Sequence, residues 1–235
     1  MNLNSRRYAN DLCYTLGMPH LLHLDSSLRA DDSRSRRLSA GYADAWRAAH
    51  PDGVVTYRDL AADPLPHLDG PAFTAGLTPA DARDDAQRAA WALTAEVAGE
   101  VRDADVVVLG MGLYNFGVPS TVKAWFDRVV APGITLGEDG AGLLGGTTLV
   151  LALASGGGYG PGTPRHGWDH REPWLRHAFE FLGLTDIVTA SAELTLARES
   201  PAMIPLELGD AEDASFAAAQ EALAAHARGT VAATA

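Results

Sequence analysis

The sequence predicts an α/β protein built on a parallel β-sheet, and three observations lead to this prediction. Five short apolar segments alternate with segments whose apolar residues recur at helical spacing. Two of the short segments are apolar at almost every position, as expected for strands that are buried on both faces of a sheet. Strands and helices that alternate in this way join by right-handed crossovers into one parallel sheet.

Length and composition favour one domain. The chain has 235 residues, of which 47% are hydrophobic, and this is enough for one large domain with a sizeable core. Residues 1–17 show neither a helical nor a strand period, so we expect a flexible N-terminal extension there. The single domain is then expected to span residues 18–235.

The charge balance excludes several classes of partner. A formal net charge of −12 argues against nucleic acid and anionic membrane surfaces, since both require a basic footprint, but it allows a small anionic ligand in a local patch. No apolar run approaches the roughly 18 residues that a membrane helix needs. The single cysteine, Cys13, cannot form an internal disulfide, which fits a reducing cytoplasm. We therefore expect a cytoplasmic protein.

The first strand, predicted over residues 19–24, leads into a loop rich in serine and arginine. Ser33 is a suitable N-cap for the helix that follows, and with Ser35 it offers hydroxyls beside free backbone amides. Such a helix start is an anion site, most naturally for a phosphate, to which Arg34 could add charge. The alternative is a simple cap flanked by solvated arginines. No P-loop or G-x-G-x-x-G motif follows this strand, so a nucleotide triphosphatase or standard dinucleotide fold is not indicated.

The second strand is predicted over residues 54–60, where β-branched and aromatic residues are enriched. The segment 61–77 is rich in proline, glycine and aspartate, and we expect a long surface loop there. Residues 78–81 resemble a capping box, so a long amphipathic helix is predicted to begin at this point and to end near Val101.

The stretch from Ala104 to Val130 predicts a buried strand over 106–109, then a polar-aromatic loop, then a helix with Pro119 in its first turn. Ligands of parallel sheets bind outside the carboxyl ends of the strands. An asparagine and two aromatic rings at that edge could hydrogen-bond and cover a flat heterocycle. The alternative is a turn that an aromatic ring anchors to the core. The loop residues are Leu113, Tyr114, Asn115 and Phe116.

The fourth strand is predicted over residues 147–154, and a glycine-rich run follows it directly. Glycines allow close backbone approach to a ligand and leave amides free to donate, although a disordered linker is the alternative. This run comprises Ser155, Gly156, Gly157 and Gly158, and the loop extends to residue 170.

The remaining elements complete the alternation. A helix with apolar residues from Trp174 to Leu182 is predicted to end at Gly183, and the fifth strand is predicted over residues 186–192. Asp210 or Asp213 is expected to cap a final alanine-rich helix that reaches about residue 227.

The three candidate ligand loops follow strands one, three and four. In the flavodoxin-like strand order 2-1-3-4-5, with helices on both faces, these strands are adjacent at the switch point, so the loops converge. The loop after strand one offers a phosphate site, and the loop after strand four offers a set of amide donors. The loop after strand three offers the polar and aromatic side chains of Tyr114, Asn115 and Phe116, which we call the clasp. Together they suit a phosphorylated flat ring system such as FMN.

At these residues the sequence resembles the FMN-dependent NADH-azoreductase family, within the flavodoxin-like quinone reductases. The resemblance runs from about residue 19 to the C-terminus, and its most specific part is the Tyr114-Asn115-Phe116 clasp. Four segments carry it: Ser26-Ser27 with Ser33-Arg34-Ser35; Tyr57 to Ala62 with Pro64 and Leu68-Asp69-Gly70; Tyr114-Asn115-Phe116 with Lys123 to Asp127; and Leu182 to Ile187 with Ala192-Glu193.

The resemblance implies an enzyme that passes two electrons from NADH or NADPH to azo compounds or quinones in a ping-pong scheme, with FMN bound. It implies a homodimer with the site at the subunit interface, and we assign no acid-base residue and no metal. The FMN phosphate would contact Ser27, Ser33, Arg34 and Ser35, and the isoalloxazine would contact Leu113 to Phe116 and Ser155 to Gly158.

Two departures from the family pattern concern the electron acceptor. The family often has an arginine after the serine of the last motif, where this chain has Gly156. The segment from Tyr159 to His170, called the long loop below, is also longer than the family pattern suggests.

Other functional classes are disfavoured. The main alternative is a flavodoxin-like single-electron carrier that is not an enzyme, which the acidic composition would suit. His166 and His170 would share a helix face and could bind metal, but Pro164 and Gly167 argue against a helix there. A phosphatase would need a cysteine in the first loop, and no G-x-S-x-G elbow of a serine hydrolase is present.

Overall fold

The computed structural model describes residues 17–229, and within that range five parallel strands form one sheet. The strand order is β2-β1-β3-β4-β5, which confirms the predicted flavodoxin-like order 2-1-3-4-5. The strands are β1, His20–Asp25; β2, Val54–Asp59; β3, Val106–Gly112; β4, Thr148–Ala154; and β5, Asp186–Ala192.

Six α-helices lie in the same described range, together with three short 3₁₀ turns at residues 30–32, 80–82 and 204–206. The helices are α1, Arg34–Ala49; α2, Gly70–Leu77; α3, Asp85–Arg102; α4, Ser120–Val129; α5, Arg171–Phe181; and α6, Gly209–Gly229. None of these helices is long and apolar enough to cross a lipid bilayer.

The sheet is buried between two hydrophobic clusters because successive strand side chains point to opposite faces. On β1, Leu22 and Leu24 join a cluster with side chains of α3, α4 and α5, whereas Leu21 joins a cluster with α1 and α6. Both clusters contain fully buried aromatic rings, Trp125 in the first and Trp46 in the second. The two layers of helices hold the strand ends in register, and the ligand loops leave from those ends.

The segment 61–77 is where the prediction was wrong. It is not all loop, because α2 begins after Asp69, whose side chain accepts a hydrogen bond from the amide of Ala72. Pro71 is tolerated there, since the first turn of a helix has no intrahelical partner for the missing N–H. A glycine-proline pair predicts a loop on composition alone, and here it opens a helix.

The start of α3 also differs from the prediction. The capping box is formed by Asp84 and Gln87, whereas residues 80–82 form a separate 3₁₀ turn. The amphipathic pattern predicts that Ala86 lies on the apolar face of this helix, but Ala86 is exposed and the buried face begins only at Thr94. The first turns of α3 pack against α2, a helix that the prediction did not include. These turns of α3 therefore do not reach the core.

The C-terminal elements follow the prediction more closely. β5 has the predicted bounds, and Gly183 has a φ of +87° just after α5, as expected for a helix-ending glycine. Asp210 and Asp213 lie inside α6 rather than before it, so neither is its N-cap. The extension predicted over residues 1–17 falls outside the described residues except for Gly17, as does the tail after Gly229.

Candidate functional site

The loops after β1, β3 and β4 meet at the carboxyl edge of the sheet and are hydrogen-bonded to one another. Tyr114 connects the first two loops, because its hydroxyl oxygen accepts from the amide of Leu28 at 3.1 Å and lies 3.4 Å from the Ser27 hydroxyl. The amide of His170 donates to the carbonyl of Phe116 at 3.0 Å and thereby connects the second and third. The structure therefore brings the predicted loops into one site region.

The serines of the first loop are buried at the start of α1. Ser33 is the N-cap, as predicted, and its hydroxyl accepts from the amide of Arg36 at 3.2 Å. The hydroxyl of Ser35 lies 3.2 Å from that of Ser33, and Ser27 is buried as well. Because the first amides of a helix have no intrahelical acceptor, these hydroxyls and amides can hold an anion.

Arg34, predicted to add charge to this anion site, is already paired. Its Nη2 donates to Glu212 at 2.7 Å, and the same buried carboxylate also accepts from Arg198 at 2.9 Å. Its guanidinium lies 5.3 Å from the centre of the Phe216 ring, which fixes its position against α6. Arg34 therefore anchors α1 to α6, and any contact with a ligand would share this charge with Glu212.

Arg36, which sequence reasoning did not select, is the cation that shapes the first loop. It donates to the carbonyl of Ser27 through Nε at 3.2 Å and Nη2 at 2.8 Å, and it grips both carboxylate oxygens of Asp59 at 2.6 and 2.8 Å. Burial acts to raise the pKa of Asp59, but hydrogen bonds from Arg36 and from two backbone amides lower it below its ordinary value. A carboxylate at the end of β2, beside a loop with arginines, is the signal that could have revealed this pair.

A buried polar group lies directly behind the first loop. Asp25, at the end of β1, accepts from Ser39 at 2.7 Å and from the Tyr57 hydroxyl at 3.2 Å. Burial, aided by the charges of Asp25 and Asp59, raises the pKa of Tyr57 to about 12, so this hydroxyl stays a donor at neutral pH. Gly110 is required here, since a Cβ at that position would lie 2.4 Å from an oxygen of Asp25.

The loop after β3 holds two consecutive residues in a strained conformation. Asn115 and Phe116 have φ values of +49° and +68°, and the amide of Gly117 closes the turn by donating to the carbonyl of Tyr114 at 3.1 Å. A left-handed backbone conformation at a residue other than glycine costs roughly 1–3 kcal/mol, and such residues cluster at functional sites. The Asn115 side chain is exposed and has no hydrogen-bond partner among residues 17–229, so its amide is available to a ligand.

The glycine run after β4 is an ordered turn, not a linker. The carbonyls of Ser155, Gly156 and Gly157 accept from the amides of residues 195, 196 and 194 at 3.0, 3.2 and 3.3 Å. The Ser155 hydroxyl donates to the Gly157 carbonyl at 3.1 Å. Within the described range no acceptor is bound to the amides of residues 156–158, so three donors remain for a ligand.

Gly156, where the resembled family often has arginine, packs so closely against Leu196 that a side chain there would require this leucine to shift. A Cβ there would lie 2.6 Å from Cδ1 and 2.9 Å from Cγ of Leu196. Leu196 follows Leu194, another non-glycine residue with a positive φ, +62°. The segment after β5 therefore fills the space that a longer residue at 156 would need.

Glu193 fixes the start of the long loop. Its carboxylate accepts from the amides of Tyr159 and Gly160 at 2.8 and 3.0 Å. The residue belongs to the segments that carry the family resemblance, but sequence reasoning assigned it no place in the site.

Arg171 is fully buried at the ends of β3 and β4, and nothing in the sequence pattern marked it. Its Nη1 donates to the carbonyls of Ala154 at 2.8 Å and Met111 at 3.3 Å, and its Nη2 donates to Asp169 at 2.8 Å. The Ala154 carbonyl also accepts from the amide of Leu113 at 2.9 Å. A permanent cation therefore joins the two strand ends from which the aromatic clasp and the glycine turn leave.

Three aromatic rings border the site where the second loop meets the long loop. Phe116 packs edge-to-face against Trp168, with ring centres 5.5 Å apart, and against Tyr159 at 6.4 Å. Phe116 is 40% exposed and Trp168 is 51% exposed, although both are large apolar side chains. We call Phe116, Tyr159 and Trp168 the aromatic rim.

Histidines of the long loop do not assemble a metal site. His166 lies in a turn, and His170 lies just before α5. The two histidines therefore do not share a helix face. Between residues 17 and 229, no three histidine, cysteine or carboxylate side chains gather where they could hold an ion.

Five parallel strands in this order, with ligand loops after β1, β3 and β4, define the class of flavodoxin-like proteins. The match to a family model agrees with this class. The chain belongs to the Flavodoxin_2 family, described as having a flavodoxin-like fold, whose model matches residues 19–226.

Curated relatives of similar length support the family assignment. An FMN-dependent NADH:quinone oxidoreductase of Frankia alni is 46% identical over 211 residues, which are 89% of this chain and 99% of the relative. A second protein of that name, from Parafrankia sp., is 43% identical over 87% of this chain and 96% of its own length. The family recognised from the motifs is thereby confirmed.

Solved structures show the same fold at lower identity. An azoreductase from Bacillus anthracis str. Sterne superposes with a TM-score of 0.77 at 22% identity and covers 90% of this chain and 99% of its own. An FMN-dependent NADH-azoreductase from Bacillus anthracis str. Ames Ancestor, in complex with FMN, has a TM-score of 0.71 at 20% identity, with 89% and 100% covered.

Proposed function

We propose that this chain is an FMN-dependent oxidoreductase that transfers two electrons from NADH or NADPH to quinones and azo compounds by a ping-pong scheme. The curated relatives named FMN-dependent NADH:quinone oxidoreductase support this proposal, since they are up to 46% identical over nearly their full length. The observation that carries it is the convergence of three loops that leave hydrogen-bond donors without partners at the carboxyl edge of the sheet.

The residues present fit FMN. Buried hydroxyls and the first amides of α1 suit its phosphate, and the partnerless amides of residues 156–158 suit the polar edge of a flat ring. We assign the phosphate to Ser27, Ser33 and Ser35, with Arg34 as a shared charge. We assign the ring to Leu113, Tyr114, Asn115, Phe116, Ser155, Gly156, Gly157 and Gly158.

Bound FMN supplies the two-electron chemistry, and the protein supplies binding, orientation and electrostatics. The amides of the glycine turn are preorganised donors for negative charge that develops on a bound ring, while the strained clasp presents Asn115 and Phe116 to it. The overall reaction converts NADH, a proton and a quinone into NAD⁺ and a hydroquinone. An azo bond takes four electrons, so two NADH and two protons give two amines, and we assign no side chain as the proton donor.

The single-electron carrier is the weaker proposal. A carrier needs an exposed cofactor edge and a protein partner, whereas in this chain the long loop and the aromatic rim border the site. The names of the curated relatives also favour an enzyme.

We also propose that the enzyme is a homodimer in the cytoplasm. Exposed apolar side chains on and before α2 support a second copy, since Leu68, Phe73 and Leu77 are 39%, 60% and 71% exposed. The single cysteine supports a reducing compartment.

An absorption spectrum of the purified protein, incubated with FMN and freed of excess, tests the function. We expect a flavin band that bleaches with NADH or NADPH under argon and returns when a quinone is added. A band that neither nucleotide bleaches would favour the carrier. Failure to retain any FMN would refute the assignment of the three loops.

A further inference from the structure

The long loop adds features that binding of a cofactor does not require. Trp168 is half exposed, although it lies edge-on to Phe116, and the amide of Trp168 donates to the carbonyl of Arg165 at 3.0 Å. The loop is held at both ends, by Glu193 at Tyr159 and Gly160 and by the bond from His170 to Phe116. Its exposed ring is therefore fixed at the border of the site and can stack on a second aromatic molecule.

Arg165 places a positive charge on the same border. Its Nη1 lies 3.3 Å from the position that a Cβ on Gly157 would take, so the guanidinium leans over the glycine turn. It is exposed, and no carboxylate between residues 17 and 229 forms an ion pair with it.

The nearby carboxylates are already engaged, which leaves this cation free for a ligand. Asp169 is held by Arg171 at 2.8 Å, and Glu193 accepts from two backbone amides. The chain as a whole carries a formal charge of −12, so an anionic ligand is repelled unless a local cation offsets the field. Arg165 and Trp168 lie on one loop, three residues apart, beside the turn that we assign to the cofactor.

We propose that the long loop selects flat aromatic acceptors that carry an anionic substituent, such as a sulfonate or carboxylate. Trp168 and Phe116 contact the ring of the acceptor, and Arg165 pairs with its anionic group. This proposal rests on the function proposed above and specifies the acceptor class of the same site.

Two matched acceptors test the proposal: 1,4-naphthoquinone and 1,4-naphthoquinone-2-sulfonate. We expect Arg165→Gln to raise the KM of the sulfonate about three- to fivefold, as for loss of an exposed ion pair, and to leave that of the neutral quinone unchanged. Arg47→Gln is the control, because Arg47 is an exposed arginine on α1 paired with Asp44. In the wild type, the preference for the sulfonate should shrink as salt is raised.

A binding measurement on the oxidised, FMN-loaded enzyme separates recognition from turnover. Calorimetry with 2-naphthalenesulfonate, which accepts no electrons here, should give a Kd that rises about three- to fivefold in Arg165→Gln and about two- to tenfold in Trp168→Ala. Trp168→Phe should recover most of the ring contact. Flavin content should match the wild type in all variants.

The outcomes are distinguishable. If the wild type binds FMN and is bleached by NADH, but Arg165→Gln shifts the sulfonate and the neutral quinone equally or neither of them, the acceptor proposal is overturned. An unchanged Kd in Trp168→Ala would also overturn it. If FMN is not retained, or neither NADH nor NADPH bleaches it, the proposed function fails first, and the acceptor proposal fails with it.

Discussion

Single residues at the site combine strain with unused hydrogen-bonding groups. Among the described residues other than glycine, five have a positive φ. Three of these five border the glycine turn or form the clasp: Asn115, Phe116 and Leu194. Asparagine tolerates the left-handed region better than most residues, which explains how an exposed amide can be held there. The side-chain chemistry and the backbone conformation of Asn115 can therefore be tested separately.

Replacing Asn115 by glycine removes the amide while keeping a residue that accepts φ of +49°. We expect the Kd of FMN to rise about two- to tenfold, as for one lost hydrogen bond, with little loss of stability. Asn115→Ala should weaken FMN similarly and also unfold more easily, by about 1 kcal/mol, because alanine is strained there. Fluorescence titration of the apoprotein measures the affinity, and unchanged affinity in both variants would remove Asn115 from the site.

Arg171 is the residue whose loss should matter most for stability. Arg171→Met removes the buried guanidinium that donates to the carbonyls of Met111 and Ala154 and pairs with Asp169, so we expect destabilisation of about 3–5 kcal/mol in urea unfolding. Arg176→Met is the control, since that arginine lies on the same helix and is partly exposed beside Glu172, and its loss should cost about 1 kcal/mol or less. Equal effects of the two substitutions would show that the buried guanidinium of Arg171 is not what holds the ends of β3 and β4 together.

At the scale of elements, two helix starts make similar capping contacts but only one is assigned to the cofactor. Ser33 caps α1 at the anion site, and Asp84 caps α3 away from it. The two caps should contribute about equally to stability, and only the first should affect binding.

We expect Ser33→Ala and Asp84→Ala each to destabilise the protein by about 1 kcal/mol, as is usual for loss of an N-cap. Ser33→Ala should in addition weaken FMN at least threefold, whereas Asp84→Ala should leave FMN affinity unchanged. Thermal unfolding and FMN titration on the same two variants provide the measurements. Equal FMN affinity in both variants would argue that the phosphate lies elsewhere.

The elements also show which parts of the fold were predictable from sequence. The strands were found because residues such as Val106 to Leu109 form continuous apolar runs, and this signal is local. Helix α2 was missed because Gly70 and Pro71 are loop formers by composition, and only the cap at Asp69 reveals the helix. The contacts of Arg36 and Arg171 join residues up to 60 positions apart, so no window of sequence contains them.

At the scale of the whole molecule, the exposed apolar residues of α2 are the feature that the single chain does not explain. If a second copy covers them, Leu77→Glu should convert a dimer into a monomer, because a buried unpaired charge is costly at an apolar contact. Leu206→Glu, at another exposed leucine, is the control and should leave the mass unchanged. Light scattering after size exclusion measures the mass, and a wild-type monomer would refute the dimer.

The close approach of Leu196 to Gly156 has a consequence for any redesign of this site. A side chain at position 156 would clash with Leu196 in its present conformation, because a Cβ would lie 2.6 Å from Cδ1 of that leucine. An arginine introduced at position 156 would therefore require Leu196 to move or to be replaced by a smaller residue. The two positions therefore act as one unit in any redesign of this site: Gly156→Arg alone should displace Leu196, whereas Gly156→Arg combined with Leu196→Ala would leave space for the new side chain.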